Sequence, residues 1–330
     1  MIHGVTMDRR EFLYGLGGAL LATPGARAQQ RPPLIGLLSS TSAEPYKPLV
    51  DAFTSGLRER GFVEGRNLAI EHRWVDGNYE RLAGLAKDLV ALRANVIVAV
   101  APPAARAAKA ATASIPIVFS TSGDPIALGL VSSLNRPGEN LTGVNLMLFA
   151  MGPKRLDLLV KLVPNAERIG LLVNPNNPST ARSRTDSQTA ARALGKTLIV
   201  VSAGNEREIE AAFDSLREQK VTALSVEADP YLLARRDQLA ARAARDRLPV
   251  IYPHRENAEA GGLISYGTDL SDAYRQIGIY TARVLIGEQP GNLPVMQITK
   301  FETVINMKAA RAIDLTIPPD LLTLADQLIE

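Results

Sequence analysis

Residues 95–125 read NVIVAVAPPAARAAKAATASIPIVFSTSGDP. NVIVAV is a β-branched apolar run without polar alternation, the pattern of a strand buried on both faces. PAARAAKAAT follows as an Ala-rich helix former, and IPIVFS is a second buried strand. A strand, a helix and a strand in so short a span form a right-handed βαβ unit with parallel strands. The second strand runs straight into Ser120, Thr121, Ser122, Gly123, Asp124 and Pro125. Hydroxyls and a carboxylate thus stand where open parallel sheets place their ligands.

The same alternation extends outward in both directions. Upstream, PLIGLLSS and NLAIEHRWV read as strands. PYKPLVDAFTSGLRERGF reads as a helix with Leu49, Phe53 and Leu57 on one face and a stop at Gly61. YERLAGLAKDLVALRA places Leu82, Leu85, Leu89 and Leu92 at helical spacing. After TGVN (142–145) the rhythm restarts. PKRLDLLVKLVP, STARSRTDSQTAARALG and EREIEAAFDSLREQ read as helices, between the strands ERIGLLVNP, KTLIVVS and VTALSVEAD. YLLARRDQLAARAARDR reads as one continuous helix and LPVIYP as the next strand. The tail adds the strand GGLISYG, the helix DLSDAYRQIGIYTARVLIGE, a linker with Pro290, Gly291 and Pro294, and KFETVINMKAARAI as a strand and short helix.

Two such series, each with its own core, predict an α/β protein of two Rossmann-like lobes with parallel-dominated sheets. Lobe I is expected over residues 31–146 plus 262–291, and lobe II over 147–261 plus 292–330. The chain then crosses between lobes near Asn145, Gly262 and Gly291.

Composition removes several classes of function. The 330 residues carry 37 basic and 34 acidic side chains, interspersed, for a net charge of +3. No basic stripe or aromatic platform for nucleic acid results. There is no cysteine, hence no disulfide, thiolate chemistry or Cys-ligated zinc. His3, His72 and His254 are far apart and read as single surface histidines, so no metal or other cofactor is expected. No G-x-S-x-G or P-loop pattern is present, and no histidine stands out as a partner for Ser265. The N-terminal MDRREFLYGLGGALLATPGARAQQ has a twin-arginine-like basic start at Arg9-Arg10, a short apolar run from Phe12 to Ala22 and small residues at Ala26 and Ala28. It reads as an export signal over residues 1–28, cut after Ala28, with Met7 as an alternative start and the bacterial periplasm as destination.

The polar strand ends are the candidate ligand residues. Lobe I offers Ser39, Ser40 and Thr41 after its first strand, Pro102 after NVIVAV, and Ser120, Thr121 and Asp124 after PIVF; Asn145 stands at the first crossing. Lobe II offers Asn174, Glu227, Asp229 and Tyr252, with Tyr266 further on. Hydroxyls beside free N–H groups at helix starts suit a carboxylate. Asp124 or Asp229 suits an ammonium, and a tyrosine offers an apolar face with a polar tip. Each of these residues also has a local role open to it, as a helix cap or turn former.

Four stretches carry a family resemblance: SGDPIALGLVSSLNRPGENLTGVN (122–145), LLVNPNNP (171–178), LPVIYPHRENAEAGGLISYGTDLSDAYRQIGIYTARVLIGEQPGNLPV (248–295) and TKFETVINMKAARAIDLTIP (299–318). The chain resembles the periplasmic substrate-binding proteins of ABC transporters of the tryptophan/tyrosine type, over essentially all of its length after the leader. The resemblance implies the type I periplasmic binding protein fold with a three-crossover hinge. It also implies a monomeric, non-enzymatic receptor that closes on a small polar ligand, an amino acid and possibly an aromatic one. Its partner would be a membrane permease with cytoplasmic ATPase subunits. In that reading Ser120, Thr121 and Asp124 line one wall of the cleft and Asn174, Glu227, Asp229 and Tyr252 the other. SSTSAEP at the first strand end does not match an aromatic-specific pattern. A sensor that signals to a membrane receptor and an exported α/β enzyme stand as alternatives.

Overall fold

The computed structural model describes Met1 and residues 32–330; the export signal read from the sequence lies outside the described residues. In chain order, β1 (Leu34–Ser39), α1 (Ala43–Arg58), β2 (Ala69–Trp74), α2 (Leu82–Ala91), β3 (Val96–Val100), α3 (Pro102–Ala111), β4 (Ile117–Thr121) and β5 (Leu141–Asn145) come first. Then follow α4 (Gly152–Leu162), β6 (Arg168–Val173), α5 (Thr180–Ala193), β7 (Thr197–Ser202), α6 (Glu206–Glu218), β8 (Ala223–Val226), α7 (Pro230–Ala234), α8 (Arg236–Arg245), β9 (Val250–Tyr252), α9 (Arg255–Glu259) and β10 (Ile264–Thr268). The tail holds α10 (Leu270–Leu285), β11 (Met296–Gln297), β12 (Phe301–Asn306), α11 (Met307–Ala312), α12 (Pro319–Leu324) and β13 (Gln327–Ile329).

Two sheets result. The first, lobe I, has six strands in the order β11-β5-β4-β3-β1-β2, all pairs parallel. The second, lobe II, has seven in the order β13-β12-β10-β9-β8-β6-β7, parallel apart from β10 against β12. Strand order reverses between β1 and β3 and again between β6 and β8. Carboxyl ends at such reversals leave a crevice for a ligand. β3 shows why the apolar run reads as doubly buried. Val96, Val98 and Val100 pack into one core cluster, Ile97 and Ala99 into another on the opposite face.

Two crossings fall later than the sequence reading placed them. β10 pairs with β9 in the second sheet, Ile264 against Ile251, so the chain leaves lobe II after Thr268 rather than at Gly262. β11 pairs with β5, Met296 against Val144, so residues 292–297 stay with lobe I and the last crossing follows Gln297 rather than Gly291. The three passages are tied together. Thr268 Oγ1 donates to Leu146 O at 2.7 Å, and Ile298 N donates to Asn145 O at 3.0 Å.

α10 then packs on α1 of lobe I. A Cβ on Gly56 would lie 2.0 Å from Arg275 O, and one on Gly278 would lie 2.1 Å from Phe53 O. Paired glycines therefore let the two helix backbones touch. The single helix expected over 231–247 is broken at Arg235, whose φ/ψ of −101°/19° separates α7 from α8. Its guanidinium turns back over the Tyr231 ring, 5.4 Å from the centroid.

Candidate functional site

The lobe I wall is built from the ends of β1, β3 and β4. Ser39 Oγ and Thr41 Oγ1 share a hydrogen bond of 2.6 Å. Ser40 Oγ accepts the Ala104 N–H at 3.2 Å, and Ser120 Oγ accepts the Ala101 N–H at 3.1 Å. Ala101 holds φ/ψ of 75°/160°, a region almost confined to glycine, and such strain persists where the surroundings over-determine it. Pro102 and Pro103 open α3 and contribute no N–H. The start of α3 therefore offers a carboxylate no free N–H, because the first turn's remaining donor goes to Ser40. Ser120 keeps its own proton free to donate, since its oxygen acts only as acceptor toward Ala101.

Thr121 and Asp124 have local roles. Thr121 Oγ1 accepts the Gly123 N–H at 3.2 Å, and Asp124 Oδ1 accepts the Ile126 N–H at 2.9 Å. Asp124 is exposed and faces a groove of about 630 Å³ between the 122–128 loop and α5. Asn145 Oδ1 accepts the Met147 N–H at 3.0 Å and so shapes the first crossing.

On lobe II, Asp229 is the most heavily bonded side chain. Its Oδ1 accepts from Asn174 Nδ2 at 3.0 Å, Tyr231 N at 2.9 Å and Leu232 N at 3.1 Å. Its Oδ2 accepts from Asn177 Nδ2 at 2.9 Å and from the Tyr79 hydroxyl at 3.1 Å. Glu227 is buried beside it and accepts from Thr180 Oγ1 at 3.0 Å. Burial pushes its carboxyl up to about 7, against the opposing Ser183 and Thr180 hydroxyls and the Arg155 charge. Arg155 is buried too. It donates to Leu148 O at 2.9 Å in the first crossing and to Tyr266 O at 3.4 Å.

Between the walls lies a cavity much smaller than the groove beside Asp124. Thr41, Ala101, Ser120 and Ser122 face it from lobe I, and Asp229 and His254 from lobe II. Its apolar surface comes from Leu146, Leu233, Leu270 and the rings of Tyr46 and Tyr274, whose centroids are 6.4 Å apart at 50°. The space is a slot: only about 30 Å³ of it stands a water radius clear of every wall.

His254 corrects the sequence reading. It is 5% exposed, not a surface residue, and its Nδ1 has no hydrogen-bond partner among the described residues. Burial, then the Arg155 charge, lowers it to about 3, so the imidazole is neutral at physiological pH. Tyr252 is also corrected. Its ring is fully buried in the lobe II core, against Gly262, and does not reach the slot. Tyr266 packs its ring 6.1 Å from Phe301, away from the slot. The slot thus gathers Thr41, Ser120 and Asp229 from the sequence-derived set. Ser39 and Ser40 support the lobe I wall, Asn174 supports Asp229, Glu227 is buried near Asp229, and Asn145 faces the groove that Asp124 lines. Sequence reasoning missed Tyr46, Tyr79, His254 and Tyr274. His254 stands two residues past the strand run ending at Tyr252, so the strand-end rule reaches it. Tyr46 and Tyr274 sit at helix starts, where they look like core.

The family described as ABC transporter substrate binding protein matches residues 36–329, and the chain belongs to it. It is a solute-binding protein rather than an enzyme. It takes a small-molecule ligand and works with an ABC permease, and proteins of this kind act outside the cytoplasm. The tyrosine-binding protein of Clostridioides difficile is 26% identical over 263 residues, 80% of this chain and 75% of that protein. An ABC domain from Streptococcus pneumoniae, solved in complex with L-Trp, is 27% identical, covers 89% of this chain and 100% of its own, and superposes with a TM-score of 0.80. A conserved domain protein from Vibrio cholerae is 25% identical, covers 90% and 99%, and has a TM-score of 0.83.

Proposed function

We propose that the ligand is an aromatic amino acid of the tryptophan or tyrosine type, held in the slot between the lobes. The observation that carries this reading is the slot's lining, which combines the rings of Tyr46 and Tyr274 with the hydroxyl residues Thr41, Ser120 and Ser122. The ring lies against Tyr46, Tyr274 and the three leucines, where offset or edge-to-face contact adds to area burial. The Ser120 and Ser122 hydroxyls donate to the ligand's polar end, and neutral His254 supplies a further donor or acceptor. The binding of tyrosine and L-Trp by the two relatives supports the same class.

In this reading the chain is exported to the periplasm by its N-terminal signal, with the cut after Ala28, and acts as a monomer. The lobes close about the three tied crossings, and the closed form is presented to a permease with cytoplasmic ATPase subunits. A thermal-shift panel on residues 29–330 tests it. L-Trp, L-Tyr and L-Phe are expected to raise the midpoint, corresponding to about 2.7 kcal/mol at a hundredfold excess over Kd, while L-Leu, ribose and galactose do not. A shift from a sugar with none from the aromatic amino acids would refute the reading.

A further inference from the structure

We infer that Tyr79 and Asp229 form a latch between the lobes, made without the ligand, through which Tyr79 sets the binding affinity from outside the slot. The inference rests on the lobes closing around a solute, and its test reads closure separately from the identity of that solute.

Asp229 caps α7, and four of its five donors come from its own lobe: Asn174, Asn177 and the backbone N–H groups of Tyr231 and Leu232. These hold the carboxylate in one orientation whether the lobes are together or apart. The fifth donor, the Tyr79 hydroxyl, arrives from lobe I, 150 residues away in sequence, at 3.1 Å. A carboxylate has about four lone-pair sites, so five donors saturate it. Asp229 has no acceptor capacity left for a ligand's ammonium, which replaces the role the sequence suggested for it with one in closure.

Tyr79 is equally well placed on its side. Its ring packs against the lobe I core cluster that includes Val75, Leu82 and Ala86, and a short 3-10 turn begins at it. The turn before it meets lobe II directly: a Cβ on Gly77, at φ +79°, would lie 2.5 Å from the Tyr231 ring. The 75–79 turn therefore seats on Asp229 and Tyr231 as a fitted contact. Separation of the lobes breaks the Tyr79 bond alone, and the other four donors keep the acceptor aimed for its return. A bond present only in the closed state multiplies the closed-to-open ratio, with ligand or without, and lowers the apparent Kd by the same route.

The absence of cysteine allows clean paired labelling. Lys87→Cys on α2 and Arg192→Cys on α5 are both exposed positions, one on each lobe, and report closure by single-molecule energy transfer. In the Tyr79→Phe variant the closed-to-open ratio without ligand is expected to fall about tenfold. The Kd for L-Trp or L-Tyr should rise by up to the same factor, the full factor being reached when the open form dominates without ligand, at a nearly unchanged midpoint of thermal unfolding. Gly77→Val, which wedges the same contact without touching the hydroxyl, is expected to shift closure in the same direction. Closure ratios equal to the parent in both variants overturn the latch. If neither amino acid binds the parent, the aromatic reading fails while the ligand-free arm still decides the latch.

Discussion

Asp124 and Glu227 were both legible as strand-end carboxylates, yet their surroundings give them different roles. Asp124 is exposed and its Oδ1 is spent on the Ile126 N–H. Asp124→Ala is therefore expected to lower stability by about 1 kcal/mol, as loss of one hydrogen bond does, and to leave ligand affinity unchanged in calorimetric titration. Weakened binding at unchanged stability would place Asp124 in the site instead. Glu227 is 2% exposed, and burial raises its carboxyl from 4.5 to about 7. The folded state then holds a proton that the unfolded chain has lost, so this group's contribution declines as pH rises through that window. Glu227→Gln removes the decline. Its stability relative to the parent is expected to grow between pH 4.5 and pH 7, reaching about 3 kcal/mol by pH 8. Urea unfolding at pH 4.5 and pH 8 measures this, and an equal difference at both would show that the carboxyl does not titrate there. Neither environment is visible in sequence, because what separates the two residues is burial against Arg155 and α5, contributed by other parts of the chain.

Among the elements, the strands were the easiest to read. NVIVAV, PIVF and GLLV are apolar on both faces, and parallel strands buried on both faces require that. β5 was harder: Leu141–Asn145 has Gly143 at its centre and no apolar run, so it passed as a junction. The assignment of the tail to the lobes followed from neither periodicity nor turns. β10 looks like the start of a βα unit with α10, yet the strand stays in one sheet and the helix packs on the other. Only the fitted glycines identify α10's partner. Gly278→Ala would force its methyl against Phe53 O and is expected to destabilise by about 1–3 kcal/mol, as overpacking does. The loss should be seen in thermal unfolding, with the slot residues themselves unchanged; no loss of stability would mean that the α1–α10 backbones are not held in contact.

For the whole molecule, two α/β lobes with a cleft between them were readable from the sequence, while the strand order within each sheet was not. The contents of the cleft were less legible. The slot takes hydroxyls from strand ends, as the sequence indicated, but its rings come from Tyr46 and Tyr274 at the starts of α1 and α10. Those two helices lie at opposite ends of the lobe I sequence and meet only because the chain returns to lobe I after its second crossing. The same return leaves three passages tied by Thr268 to Leu146 and by Ile298 to Asn145, and the Tyr79–Asp229 contact joins the two lobes elsewhere. The most direct test of the account is a crystal structure of residues 29–330 grown with L-tryptophan. The account predicts the indole in the slot against Tyr46 and Tyr274, with its carboxylate on the Ser120 and Ser122 hydroxyls. L-tryptophan seated instead in the groove beside Asp124 and Arg182, or a slot occupied by a solute of another class, would contradict it.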